Sequence, residues 1–141
     1  MIRTARVSDF EELSELCLQL GYEVNKEEIK KRLQYILENK DHAIFVYEDK
    51  NGLVSGWAHI FGKHLLEGVY AELGGIVVDT GHRRQGIGKM LINECEKWST
   101  EQGYSEIRVR SGGQREKAHQ FYSQIGYENT KWQKVFRRSL N

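Results

Sequence analysis

The stretch that could do chemistry most directly is Arg83-Arg84-Gln85-Gly86-Ile87-Gly88, a basic turn between an apolar strand-like run and an amphipathic one. Each glycine at such a helix start costs roughly 1 kcal/mol relative to alanine, so its presence needs a reason. A helix N-terminus presents unpaired backbone N–H groups and a partial positive charge, which together attract phosphate. Side chains on the approach would obstruct that contact, and glycine removes them. Arg83 and Arg84 add fixed positive charge where a pyrophosphate could dock. Alone, the six residues read equally as a phosphate cradle or as a turn into a surface helix carrying two solvated arginines. The chain has no Gly-x-x-x-x-Gly-Lys-Ser/Thr run and no Gly-x-Gly-x-x-Gly series after an early strand. A nucleotide triphosphatase and a dinucleotide-binding fold are therefore unsupported.

The histidines give a weaker signal. His82 adjoins the turn and can shape it, and His119 follows Ala118 on an expected helix. His42, His59 and His64 are scattered, without the close pairing of a metal site, so no metal is expected. His59 alternates with Trp57 and Phe61 on one strand face, which either packs within the sheet or lines a pocket. Tyr22, Tyr70 and Trp132 stand on the same footing.

These residues must be positioned by a chain of 141 residues, a length that fits one domain spanning 1–141. Lys plus Arg number 21 against 20 Asp plus Glu, which argues against a general nucleic-acid or membrane binder. No apolar run approaches the ~20 residues that cross a bilayer, and the N-terminus lacks a signal-peptide pattern. Cys17 and Cys95 fall on apolar helix faces without metal-ligand spacing, so buried free thiols in a reducing, cytoplasmic setting are expected.

Proline is absent, so glycine and polar clusters must supply the breaks. "MIRTARV" reads as a strand, followed by a helix that Ser8 or Asp9 caps, with Phe10, Leu13, Leu16, Cys17 and Leu20 on one face and Gly21 as its stop. Ile29, Leu33, Ile36 and Leu37 mark a second helix. "HAIFVYED" and "LVSGWAHIFG" flank a Lys50-Asn51-Gly52 turn as a hairpin. "VYAELGGIVV" is a strand whose Gly74-Gly75 interruption suggests a bulge. A helix follows Gly86, then the strand "SEIRVRS", the helix "REKAHQFYSQIGY" and a last strand "WQKVFRRSL", whose Lys131, Lys134, Arg137 and Arg138 read as a solvated edge. The order β-α-α-β-β-β-α-β-α-β implies an α/β (α+β) fold, a mixed sheet with helices on its faces.

At this point the sequence resembles the GNAT superfamily of acyl-CoA-dependent N-acetyltransferases. "RRQGIG" matches the family's Arg/Gln-x-x-Gly-x-Gly/Ala signature, "LGGIVV" precedes it at the family's spacing, and "AHQFYSQIGY" is similar to its downstream helix. The element order agrees over essentially the whole chain. The resemblance implies a mostly antiparallel sheet with two splayed strands, flanked by about four helices, and acetyl-CoA as cosubstrate. Backbone groups of Ile76, Val77 and Val78 would pair with the pantetheine arm. Arg83, Arg84, Gln85, Gly86, Ile87, Gly88 and Lys89 would cradle the pyrophosphate. The Gly74-Gly75 bulge would aim a backbone N–H at the thioester carbonyl. Two departures stand out: Thr80 where the family often has proline, and Arg115 where it often has an asparagine that touches the cofactor. Arg115 would then reach cofactor phosphate or replace that contact. The Arg115…Ala118-His119-x-Phe121-Tyr122 form resembles a subgroup that includes some aminoglycoside-type acetyltransferases.

Acetyl transfer to an amine needs a neutral nucleophile, a stabilised oxyanion and a proton for the departing thiolate. An alkylamine has a pKa of about 10.4, so something must accept its proton near neutral pH. The resemblance puts Glu72 on the strand bordering the cleft, as a candidate base, or as a solvated carboxylate paired across strands. It puts Tyr122 at the family's catalytic tyrosine, as proton donor to sulfur, or as a half-buried aromatic. The expected acceptor is a primary amine of a small molecule, with no nucleic-acid or membrane partner and with homodimerisation compatible with the family. A protein N-terminus or lysine, or a non-catalytic acyl-CoA sensor, is the alternative. A cationic acceptor would favour an acidic cleft, to which Glu23 and Glu67 could add.

Overall fold

Alternating apolar residues and glycine-marked turns produce one five-stranded sheet in the order β1-β2-β3-β4-β5. Its strands are β1 (Ile2–Thr4), β2 (His42–Glu48), β3 (Val54–Leu65), β4 (Gly68–Val78) and β5 (Ile107–Val109). The first four pair antiparallel, and β5 joins β4 in parallel. The helices are α1 (Phe10–Gln19), α2 (Lys26–Glu38), α3 (Ile87–Glu101) and α4 (Glu116–Gln124). This description rests on a computed structural model of the 141-residue chain and covers residues 1–111 and 115–141. It falls into two compact units, 1–110 and 111–141.

In the first unit the sheet is covered on both faces. On one, Ile44, Val46, Val77 and Trp57 pack with Leu13 and Leu16 of α1 and Leu33, Ile36 and Leu37 of α2. Each helix thus buries the apolar stripe that its sequence spacing puts on one side. On the other face α3 lies against β3 at Gly56, where an added Cβ would stand 3.2 Å from both Ile87 and Leu91. Glycine there sets how closely helix and sheet approach.

The helix ends follow side-chain chemistry. Asn25 accepts the backbone N–H groups of Glu27 and Glu28 and caps α2. Asp9 acts differently from the expected α1 cap. Its carboxylate takes the backbone N–H of Arg6 at 2.7 Å and both terminal nitrogens of Arg3 at 2.9 Å, tying β1 to the start of α1.

The second unit contains α4, whose C-terminal turn closes with Tyr127 N–H donating to the Tyr122 carbonyl at 2.9 Å. The expected last strand is not formed: residues 128–141 carry neither helix nor strand. A strand exists only where a neighbour takes its ladder hydrogen bonds, and no described strand pairs with this segment. Trp132, Val135, Phe136 and Leu140 are accordingly 81–94% exposed. The basic residues of this segment are therefore solvated, as expected, but not on a strand.

Candidate active site

β4 is paired with β3 along its length and, among the described strands, with β5 on its other side only at its middle. β5 meets it at Ala71, Glu72 and Leu73, opposite Ile107, Arg108 and Val109. From Gly74 to Val78 the neighbour is β3 alone among the described strands. Alternate residues of an antiparallel strand direct N–H and C=O away from their partner, so the edge through Ile76, Val77 and Val78 offers main-chain groups to an extended ligand.

The bulge lies where that edge begins. His59 pairs with Gly75 and Ile60 with Leu73, which leaves Gly74 as the extra residue. Both glycines are there for space. A Cβ on Gly75 would stand 2.9 Å from the Trp57 ring, and one on Gly74 would stand 2.9 Å from His59 Nδ1.

Beyond β4, Asp79 starts a short turn and accepts the Gly81 N–H at 3.1 Å. His82 Nδ1 lies 2.8 Å from Asp79 and its Nε2 lies 3.5 Å from Asp49, in the β2–β3 turn. Gly86, at φ 77, is the N-cap of α3 and has no side-chain cap. Nothing comes within 4 Å of a Cβ placed there, so glycine is set by the left-handed backbone and the open space is available to a ligand. The first intrahelical bond is Met90 N–H to Gly86, leaving the amides of Ile87, Gly88 and Lys89 without helical acceptors. Arg84 also holds a positive φ, 67°, uncommon for a residue with a Cβ. Arg83, Arg84, Gln85 and Lys89 are exposed, with Arg83 Nε donating to the Val78 carbonyl at 3.4 Å. Free amides, cationic side chains and an open left-handed glycine fit a diphosphate, and this is the chemistry expected of the turn.

Glu72 lies two residues before the bulge, on the same sheet face as Phe61, its register partner. Its Oε1 is shared by Arg110 at 3.0 Å and Lys63 at 3.5 Å, and Arg110 also donates to the Tyr70 hydroxyl at 3.2 Å. Arg108 stacks over the Tyr70 ring at 4.0 Å. Sequence inspection identified Glu72 and Tyr70 but not their cationic partners. The signal was there in the strand alternation of Arg108 and Arg110, but it was unreadable without the parallel register of β5 on β4.

On the same face the histidines prove to be paired. His42 Nδ1 and His59 Nε2 are 2.9 Å apart, and the His42 ring stacks on both His59 and Phe61. Burial, with the adjacent His42 adding to it, pushes the His59 imidazole down to about 4, and burial also lowers His42 against the opposing pull of Asp41. His64 lies apart from this pair, on the Tyr104 hydroxyl at 3.1 Å. Among the described residues, no group of three or more His, Cys, Asp or Glu side chains could hold a metal ion. Among them, too, no helix is long and apolar enough to cross a membrane.

Tyr122 and Arg115 belong to the second unit. Arg115 is the exposed N-cap residue of α4, and Tyr122 is buried in its last turns, edge-on to Phe121. Burial raises the phenol above its ordinary value despite the opposing effect of Arg115, so it carries its proton at neutral pH.

Comparison with known proteins agrees with this geometry. Residues 7–127 match the model of the acetyltransferase (GNAT) family. An uncharacterized N-acetyltransferase of Bacillus subtilis, YhdJ, is 23% identical over 126 residues, covering 87% of this chain and 89% of that protein. The apo crystal structure of the aminoglycoside 6'-N-acetyltransferase AAC(6')-Ig from Acinetobacter haemolyticus has a TM-score of 0.86 at 17% identity, covering 100% of this chain and 99% of that one. AAC(6')-Iy in complex with CoA has a TM-score of 0.84 at 22% identity, covering 99% of each chain. The β4 edge and the Gly86 turn thus lie within a matched region that spans most of the sequence, and the chain belongs to the GNAT family as an N-acetyltransferase.

Proposed function

We propose that this protein transfers the acetyl group of acetyl-CoA to a primary amine of a small molecule, by direct attack of the amine on the thioester. The observation that carries the reading is the β4 edge from Gly74 to Val78 that no described strand pairs opposite β3, which leads toward the left-handed Gly86 at the start of α3. In this reading Ile76, Val77 and Val78 hold the pantetheine arm as an added strand would. Arg83, Arg84, Gln85, Gly86, Ile87, Gly88 and Lys89 hold the diphosphate, with Arg115 as a further phosphate contact. The bulge N–H meets the carbonyl oxygen as negative charge develops on it, a contact worth a few kcal/mol in comparable sites. Tyr122, protonated at neutral pH, gives its proton to the departing sulfur. Glu72 meets the incoming ammonium, its carboxylate held in place by Arg110 and Lys63. Residues 1–141 act together as one acetyltransferase domain.

The small-molecule class draws support from structural neighbours that are named aminoglycoside 6'-N-acetyltransferases. The test is thiol release from acetyl-CoA across polyamines, aminoglycosides, amino acids and peptides with free N-termini or lysines. Turnover with a small amine is expected. Turnover with peptides alone would move the assignment to protein acetylation, and CoA binding with no thiol release from any amine would make the protein a sensor.

A further inference from the structure

We infer that His59, backed by His42, is the group that takes the proton from the attacking amine. The inference deepens the acetyltransferase reading above and rests on it. Three geometric facts carry it. The His59 Nδ1 atom lies at the bulge, 2.9 Å from where a Gly74 Cβ would be, and Gly74 itself is exposed. The other ring nitrogen, Nε2, is engaged by His42 Nδ1 at 2.9 Å. The ring is held between Phe61 and His42, so its direction is fixed.

The proposal requires one of the two tautomers this contact permits. With the proton on Nε2, donated to His42, Nδ1 keeps its lone pair and points to the residue beside which the thioester carbonyl is placed. Glu72 is less suited to the same task, because its Oε1 already accepts from two cations. The charged group acting on the pair is Asp41, next to His42 in the chain; Glu72, with its Lys63 and Arg110 partners, is the register partner of Phe61 on the same sheet face.

The step balances without an external co-reactant. The amine nitrogen bonds to the acetyl carbon, and its proton passes to His59 Nδ1. The Nε2 proton of His59 passes to His42 Nδ1, and His42 releases one to water. The carbon–sulfur bond breaks, its electron pair leaves with sulfur, and the Tyr122 proton passes to that sulfur and is replaced from water. Burial keeps His59 neutral near pH 7, so one of its ring nitrogens carries no proton.

The test uses the full chain, acetyl-CoA and whichever amine gives thiol release. His59→Gln is expected to melt normally, to bind CoA within about twofold of wild type, and to lose about a hundredfold in kcat. Glu72→Gln is expected to raise the KM for the amine with a smaller effect on kcat. Long-range 1H–15N spectra of the wild-type protein should show the Nε2–H tautomer of His59. A kcat for His59→Gln within about threefold of wild type, or an Nδ1–H tautomer, overturns the proposal. Should His59→Gln fail to fold, His42→Gln decides: about a tenfold fall in kcat with unchanged CoA binding supports the relay, and an unchanged kcat overturns it. Absence of thiol release from the wild type with any amine, while CoA still binds, overturns the enzymatic reading and this proposal with it, an outcome distinct from an active His59→Gln.

Discussion

Thr80 donates its backbone N–H to Gln19 Oε1 at 3.1 Å, and Gln19 Nε2 donates in turn to Asp79 Oδ1 at 2.7 Å. The end of α1 is thereby tied to the residues that leave β4 for the turn into α3. The departure from the family's frequent proline acquires a physical reason here, because proline has no N–H to give. Thr80→Pro should weaken CoA binding by about 1 kcal/mol, roughly fivefold, and Gln19→Ala by a similar amount. Calorimetric titration of each variant with CoA checks this, and an unchanged affinity for both would separate the tie from the cofactor site.

The tie also depends on pH. Hydrogen bonds from Gln19 and His82 hold the Asp79 carboxyl below its ordinary value. Its contribution is complete above that ordinary value and disappears as pH falls through the lowered one.

At Gly56, β3 passes close beneath α3. A methyl there would meet the Val77 carbonyl at 3.1 Å as well as the Ile87 and Leu91 side chains at 3.2 Å. Because one of these atoms is backbone in a paired strand, it cannot swing aside. Gly56→Ala should cost about 1–3 kcal/mol of stability. Denaturant unfolding with an unchanged midpoint would show that α3 shifts freely.

The Arg3–Asp9 pair should give the fold an acid-sensitive component. Burial alone would raise the Asp9 carboxyl, but the hydrogen bonds from Arg3 and from the Arg6 N–H outweigh it and hold the group below its ordinary value. A carboxyl lowered in the folded state stabilises above its unfolded value of about 3.9 and loses that contribution as pH falls through the folded one. Asp9→Asn, which takes the charged bidentate partner from Arg3 and leaves it Glu48 alone, should destabilise by about 2 kcal/mol at neutral pH. The gap between variant and wild type should close as the pH drops below about 4. A gap independent of pH would assign the loss to packing.

Cys95 is buried in α3, and burial, with Glu94 and Glu96 adding to it, pushes its thiol up to about 12. The thiolate is the reactive form, so Cys95 should resist a disulfide-exchange reagent in the folded protein and react only on unfolding. Counting reactive thiols with and without denaturant tests this. Rapid native reaction at Cys95, with Cys17→Ser as control, would contradict it.

Much of the fold was legible in the sequence because its signals are local. The stripe Leu13–Leu16 and the pattern Leu33–Ile36–Leu37 predict helices through their spacing, and Lys50-Asn51-Gly52 marks the hairpin. The bulge was legible from Gly74-Gly75, and the turn into α3 from Gly86. Side-chain partnerships were not legible, since they depend on register. Glu72 takes one cation, Lys63, from the neighbouring β3 and the other, Arg110, from just beyond β5, 38 residues later, and the His42–His59 contact needs the β2–β3 offset. The last strand was misread for the same reason. "WQKVFRRSL" has strand-like composition, but composition does not supply a neighbour.

The central claim is that the start of α3 grips a diphosphate while the β4 edge holds the arm attached to it. Calorimetric titration of the purified protein with CoA and, separately, with pantetheine, which lacks the diphosphate, tests that claim most directly. Strong heats with CoA and binding to pantetheine at least about a hundredfold weaker, near 3 kcal/mol, are the predicted result. Equal affinity for the two compounds, or no response to CoA at millimolar concentration, would contradict it.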